Sequence, residues 1–211
     1  MSEVLVLPIF PLPDITFFPH TFLPLHVFES RYRAMITDAL ARDRRLAVVR
    51  LRPGFEASYE GKPEIYPVAG AGEIVSCERL ANGRFNILLK GQWRVHIESE
   101  LPTDTLYRMT RARRLEDAPA AIDVSGVVER IRGSCRKLLV ALERPVDVLD
   151  GALAAGQAAG AIADRVAAAF LPDPALRQQL LETLDVGERL RRVSIALDDL
   201  ANELTGGGGK S

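Results

Sequence analysis

Along the middle of the chain, apolar and polar residues alternate with a period of two. Phe85, Ile87 and Leu89 alternate with Arg84, Asn86, Leu88 and Lys90, and after Gly91 the pattern restarts with Trp93, Val95 and Ile97 opposite Arg94, His96 and Glu98. That is the period of half-buried strands, with a bulge or sharp bend expected at Gly91. Residues 73–80 precede Asn82-Gly83, a pair favoured in two-residue hairpin turns because both central positions take φ > 0. A hairpin is therefore expected. Further strands are expected at residues 46–51 and 106–115. Several short strands joined by bends argue for a closed or nearly closed antiparallel barrel.

Before this region lies an apolar, aromatic stretch interrupted by Pro8, Pro11, Pro13, Pro19 and Pro24. Each proline fixes φ and removes a backbone donor, which predicts a buried irregular path instead of a long central strand. Short extended pieces at 4–9 and 22–28 can pair at a sheet edge. From about Ser30, Tyr32, Met35, Ile36, Ala39 and Leu40 keep the spacing of a one-sided helix. Residues 52–67, rich in Pro and Gly, read as an exposed loop.

From about Glu116 the period changes to three and four. Val128, Ile131, Cys135, Leu138 and Leu142 mark a helix ending before Pro145. A second helix is expected over 149–170, where Gly156 and Gly160 permit close helix approach. Leu176, Leu180, Leu181 and Leu184 mark a third, and Asp185 with Glu188 makes a capping box for a fourth, whose seam is Leu190, Val193, Leu197, Leu200 and Leu204. The expected class is α+β: an amino-terminal β-barrel over residues 1–117 with one inserted helix, a helical bundle over 118–205, and a flexible tail over 206–211.

The order Leu7-Pro8-Ile9-Phe10-Pro11-Leu12, then Phe18-Pro19, then residues 23–32 (Leu-Pro-Leu-His-Val-Phe-Glu-Ser-Arg-Tyr) resembles the amino-terminal substrate-binding domain of Lon proteases. It is most similar to small bacterial proteins that carry this domain alone. Gly72-Glu73-Ile74, Asn82-Gly83-Arg84-Phe85, Gly91-Gln92-Trp93-Arg94, and the helical pieces at 178–182 and 188–190 continue the resemblance in order. His20 stands where many relatives have Gly, and Ser30 where Pro is common. The resemblance implies a PUA-like barrel and a domain that binds polypeptide substrates for proteolysis.

Composition narrows the remaining classes. A hydrophobic content of 47% supports a real core, and 27 basic against 28 acidic residues leave no overall field for polyanions. Nucleic acid is thus disfavoured as a partner, although Arg42, Arg44, Arg45, Arg50 and Arg52, or Arg111, Arg113 and Arg114, offer local basic strips. RNA binding is the alternative function, since PUA-like barrels of other families grip RNA. Cys77 and Cys135 suggest no disulfide framework. No signal peptide or membrane-spanning run is evident, so the expected location is cytoplasmic.

Chemistry is sparse. The tail Gly206-Gly207-Gly208-Gly209-Lys210-Ser211 lacks the earlier glycine and the strand–helix context of a phosphate loop, and Gly70-Ala71-Gly72 lacks a third glycine. No Gly-x-Ser-x-Gly elbow occurs, and His20, His26 and His96 are too dispersed for a catalytic base or metal cluster. His26 reads as a hydrogen-bonded structural residue. Neither the ATPase nor the Ser/Lys protease module of full Lon enzymes is found. The expectation is a non-catalytic chain without cofactor or metal.

Recognition remains. Phe17, Phe18, Pro19 and Phe22 put much apolar surface into one loop. Two readings stand: these rings are core, or with Phe28, Glu29, Arg31 and Tyr32 they border a groove against the helical half that accepts extended or unfolded polypeptide. Glu29 and Arg31 also have a purely structural reading, pairing with barrel charges such as Arg94. A protease or chaperone is the further partner that the resemblance suggests.

Overall fold

A computed structural model describes residues 3–59, 61–147, 149, 153 and 156–206. The chain divides into two compact units, Met1–Glu116 and Asp117–Ser211.

The first unit holds six strands, β1 Val4–Leu12, β2 Phe22–Val27, β3 Arg45–Arg50, β4 Val68–Arg79, β5 Phe85–Leu101 and β6 Met109–Leu115, with helix α1 at Ser30–Leu40. They form one sheet in the order β2-β5-β4-β3-β1-β6, and β5 also pairs with β6. All pairings are antiparallel except β1 with β3, which is parallel because β2 and α1 carry the chain across between them.

β1 corrects the expected irregular path. It is a nine-residue strand with partners on both sides: Val4–Pro8 pair with β6, and Ile9–Leu12 pair with β3. N–H groups alternate sides along a strand, and that of Ile9 goes to the Arg108 carbonyl on the β6 side. The missing donor of Pro11 therefore faces the β6 side after that pairing has ended. That of Pro8 faces the β3 side before that pairing begins. Neither proline costs a ladder bond. Pro24, opposite Leu88 in the edge strand β2, is tolerated as an edge proline.

The Asn82-Gly83 hairpin also differs in detail. Gly83 alone takes a positive φ, of 75°, and bonds run from Gly83 N–H to the Leu80 carbonyl and from Leu80 N–H to the Arg84 carbonyl. The loop is thus three residues long, a turn followed by a left-handed glycine, and the Asn82 side chain accepts from Arg84 N–H at 3.1 Å. The expected bulge is present one residue on: Gly72 pairs with Gly91 and Ala71 with Trp93, leaving Gln92 unpaired.

Alternation splits the core into two apolar clusters on opposite faces of the sheet. Leu46 and Val48 of β3 join Phe10, Phe17, Met35 and Ile36 under α1, whereas Ala47 and Val49 join Leu5, Leu7, Ile9, Ala71, Val95 and Ala112. The helix buries Tyr32, Met35, Ile36 and Ala39, as its spacing predicts.

The second unit holds α2 Ser125–Ala141, α3 Ala159–Phe170, α4 Pro174–Glu182 and α5 Val186–Gly206. Of the helix expected over 149–170, Leu149 is helical and α3 runs from Ala159, with Gly156 between them at a left-handed φ of 83° interrupting it. Part of that expected span and residues 207–211 of the tail lie outside the described residues. Asp185 caps α5, its carboxylate accepting from Glu188 N–H at 2.7 Å. In α5, Leu190, Val193 and Leu197 are fully buried and Ala201 continues the seam, while Leu204 is exposed. At the centre of the unit, Arg189 is fully buried between Asp117 and Asp164.

Candidate functional site

The predicted aromatic segment is sorted by its path over the sheet. The Phe17 carbonyl lies against Gly70 and that of Phe18 against Gly91: a Cβ at 70 would stand 1.7 Å from the Phe17 oxygen, and one at 91 would stand 2.0 Å from the Phe18 oxygen. These glycines let the backbone lie flat on the strands. Phe17 and Phe18 are 1% and 0% exposed, and Pro19 is buried with them. The core reading therefore holds for these three, and a partner cannot reach them in this structure.

The chain leaves that crossing through a bulge. His20 N–H donates to the Gly91 carbonyl and Gly91 N–H donates to the Thr21 carbonyl, with His20 at φ 62°. This is the left-handed bulge position that glycine fills most easily. His20→Gly is expected to raise stability by about 1 kcal/mol. Urea denaturation measures it, and a lower midpoint would refute the strain assigned to His20.

Beyond the bulge, β2 presents its alternate residues to solvent. Phe22 is 60% exposed and Phe28, just past the strand, 58%. Pro24 and His26 are exposed between them. The His26 ring stacks on Phe28 at 6.3 Å, and its Nδ1 shares a hydrogen bond with Asn86 Oδ1 at 2.8 Å, in agreement with a structural role. The result is a narrow apolar strip on an edge strand.

The strip leads into α1. Glu29 precedes the helix in an extended conformation, and its carboxylate accepts from Arg31 Nε at 2.9 Å and from the Tyr59 hydroxyl at 2.9 Å. The Arg31 guanidinium lies between the Tyr32 and Tyr59 rings, 4.7 and 5.1 Å from their centroids. Glu29 and Arg31 thus pair with each other instead of with Arg94. Burial, followed by the Glu29 hydrogen bond, raises the Tyr59 pKa.

Arg31 and Tyr32 line a cleft of about 600 Å³ whose other walls include Pro11, Leu101, Leu106 and Arg108. All its lining residues belong to the first unit, so this cleft differs from the expected groove against the helical half. Tyr32 is 5% exposed with its ring 4.3 Å from that of Phe10, and burial pushes its pKa up to about 12. In the same lining, Arg108 donates to both oxygens of Glu100, at 3.2 and 2.5 Å, and to the Pro63 carbonyl at 3.0 Å. The Arg108 hydrogen bonds hold the Glu100 carboxyl below its usual range. Tyr59, Lys62, Glu100 and Arg108 have no motif that announces them. Tyr59 meets Arg31 directly, and Lys62, Glu100 and Arg108 join Arg31 in the cleft lining, only because distant segments of the chain come together there.

Most arginines of the two basic strips are engaged by carboxylates or rings, and Arg45 and Arg114, one from each strip, share the Trp93 ring. Arg111 and Arg113 flank Glu98, Arg114 pairs with Glu3 and Glu116, Arg45 lies over Trp93, and Arg50 and Arg52 lie over Tyr66. Arg42 and Arg44 are exposed. Among the described residues, no group of three or more His, Cys, Asp or Glu is placed to hold a metal, and no helix is long and apolar enough to cross a membrane. Cys77 and Cys135 are free thiols.

A family model for the ATP-dependent protease La (LON) substrate-binding domain matches residues 6–199. The chain is 32% identical over 199 residues to Lon protease 2 of Herpetosiphon aurantiacus, covering 93% of this chain and 24% of that protein. It is 31% identical to Lon protease of Roseiflexus castenholzii over 89% of this chain and 23% of that one. It thus spans about a quarter of the length of these curated relatives. The fold matches the N-terminal domain of Mycobacterium avium complex Lon protease with a TM-score of 0.74 at 20% identity, covering 92% of this chain and 98% of that one. A Lon N-terminal domain protein from Xanthomonas campestris matches with a TM-score of 0.63 at 18% identity, over 90% and 96%. On the family match and the relatives together, this chain belongs to the Lon substrate-binding domain family.

Proposed function

We propose that the chain is a non-catalytic module that binds extended or unfolded polypeptide, and that it serves as an adaptor to a protease or chaperone in cytoplasmic protein quality control. The observation that carries this reading is the strip of exposed rings, Phe22 and Phe28, running directly into Arg31 and the cleft. An exposed apolar strip beside a polar cleft suits a chain that presents alternating side chains and unsatisfied backbone groups. Glu29 and Arg31 then rim the site, while Phe17, Phe18, Pro19 and the Tyr32 ring support it from beneath.

In the same reading the sheet closes into a PUA-like barrel. β5 neighbours both β4 and β6, and the cluster rich in small residues, with Ala47, Ala69, Ala71 and Ala112, is the filling expected of a tight interior. The helices of residues 118–205 form a bundle, with 1–117 as the barrel domain and 206–211 as a tail.

A permanently unfolded polypeptide titrated into the protein should bind saturably. Phe22→Ser with Phe28→Ser should weaken it about tenfold, since centrally placed aromatic contacts commonly exceed 1 kcal/mol each. These two side chains are exposed, so the melting temperature should hold. Phe18→Ala, in contrast, should act on stability. Absence of saturable binding by the unaltered protein would defeat the proposal.

A further inference from the structure

We propose that the cleft beside α1 takes the free carboxyl end of a polypeptide whose last residue is apolar. This rests on the polypeptide-binding reading and names the part of the polypeptide that the cleft reads.

Tyr32 is the first support. The residue is 5% exposed and lines the cleft; among the described residues none hydrogen-bonds its hydroxyl, and that oxygen is not one of the sealed-off polar atoms, so the O–H opens to the cleft. A donor held in place by a buried ring and open to the cleft is pre-positioned for a bound acceptor. The second support is the set of cations around it. Arg108 spends three N–H groups on Glu100 and the Pro63 carbonyl, which leaves two of a guanidinium's five for a ligand. Lys62 also lines the cleft, 3.9 Å from Glu100 and with a side chain 76% exposed, so it is only loosely held. Arg31 is already held by Glu29, and the incoming charge falls to Lys62 and Arg108.

A carboxylate accepts hydrogen bonds and donates none, which matches a neutral O–H and two cationic donors. Glu100 and Asp104 share the lining and offset part of the positive charge, so one negative charge suits the site better than a phosphate dianion. Pro11, Leu101, Pro102 and Leu106 add apolar lining to the same cleft, and Leu106 is 70% exposed. The space of about 600 Å³ admits a terminal residue and its neighbours. An interior peptide carbonyl would use the Tyr32 hydroxyl but would leave the cations unanswered.

Fluorescence anisotropy tests this with a peptide ending in Ala-Leu, labelled at its amino end and made with either a free carboxylate or a carboxamide. The carboxylate form should bind about tenfold tighter, the charge-assisted bonds being the difference. Tyr32→Phe, which keeps the ring, and Lys62→Ala should each remove most of that preference without lowering the melting temperature. N-acetyl-leucine should displace the peptide at lower concentration than inorganic phosphate does. Equal affinity for the two peptides, or displacement by phosphate first, overturns the inference. If both peptides fail while the unfolded polypeptide still binds, the inference falls alone. If the unfolded polypeptide fails as well, both readings fall.

Discussion

Gly70→Ala should lower the stability of the sheet unit by about 3 kcal/mol or more, a drop of roughly 10 °C in its melting temperature. The reason is space: the added Cβ would stand 1.7 Å from the Phe17 carbonyl oxygen and 2.6 Å from its carbon, both backbone atoms that no side-chain rotation can move aside. Relief requires lifting the segment that holds Phe17 and Phe18 against the sheet, which exposes two of the largest fully buried side chains. Trp93, the single tryptophan, lies in β5 of the same unit and reports its unfolding by fluorescence. Gly133→Ala is the control. That glycine sits inside α2 with nothing within 4 Å of a built Cβ, so alanine should stabilise by up to about 1 kcal/mol. An unchanged midpoint for Gly70→Ala would show that the crossing segment yields freely, and the account of the buried rings would fail.

Arg189→Leu should cost about 3–5 kcal/mol, the range for breaking a buried ion pair by removing one partner. Arg189 is 0% exposed and donates from Nη1 to Asp117 Oδ1 at 2.9 Å and to the Thr183 carbonyl at 2.7 Å, while Nη2 pairs with Asp117 Oδ2. Its Nε lies 3.2 Å from Asp164 Oδ1, close enough for an ion pair although not aligned as a hydrogen bond. Leucine fills much of the volume but removes the guanidinium that lies against the fully buried Asp164 carboxylate. The same arginine ties three segments of the second unit together. Ala118 N–H donates to the Leu184 carbonyl, Val186 N–H donates to the Ala118 carbonyl, and Gly160 at the start of α3 has no room for a Cβ beside Asp117 and Arg189. Replacing Asp164 and Arg189 together by apolar residues should cost less than the sum of the single changes, because the buried carboxylate goes together with the cation that faces it. Urea denaturation followed by circular dichroism measures both, and a loss below about 1 kcal/mol for Arg189→Leu would sink the argument.

That network marks a limit of pattern reading. Gly160 is legible in the sequence as a site of close helix approach, and Val186 and Arg189 of α5 do stand against it; what the pattern could not show is that Asp117 pairs with Arg189 in the same gap. The spacing of apolar residues located α2, α4 and α5 and the buried face of α1, because a one-sided helix must place its apolar residues three and four apart. It could not show that Gly156 would turn left-handed and interrupt the expected helix before α3. Alternation located β4 and β5, and Asn82-Gly83 located their turn, although the turn is one residue longer than the two-residue form.

The recognition residues divide in the same way. Composition placed many rings between Phe17 and Tyr32 without distinguishing the buried ones from the exposed. The decision belongs to Gly70 and Gly91, more than 50 residues away in the chain, whose missing side chains open a floor for Phe17 and Phe18. Phe22 and Phe28 remain outside because β2 is an edge strand whose alternate residues face solvent. Lys62, Glu100 and Arg108 were not legible as site residues, since each sits in or beside a loop whose sequence only signals a turn.

By itself the sequence determined the family and the position of most helices and strands, because these depend on local periodicity and on residue order. Only the tertiary structure decided that a proline-rich segment becomes a strand with partners on both sides, which rings are covered, and which charges meet in the cleft. Those outcomes depend on where backbone donors point and on gaps between distant segments, and neither is encoded in neighbouring residues.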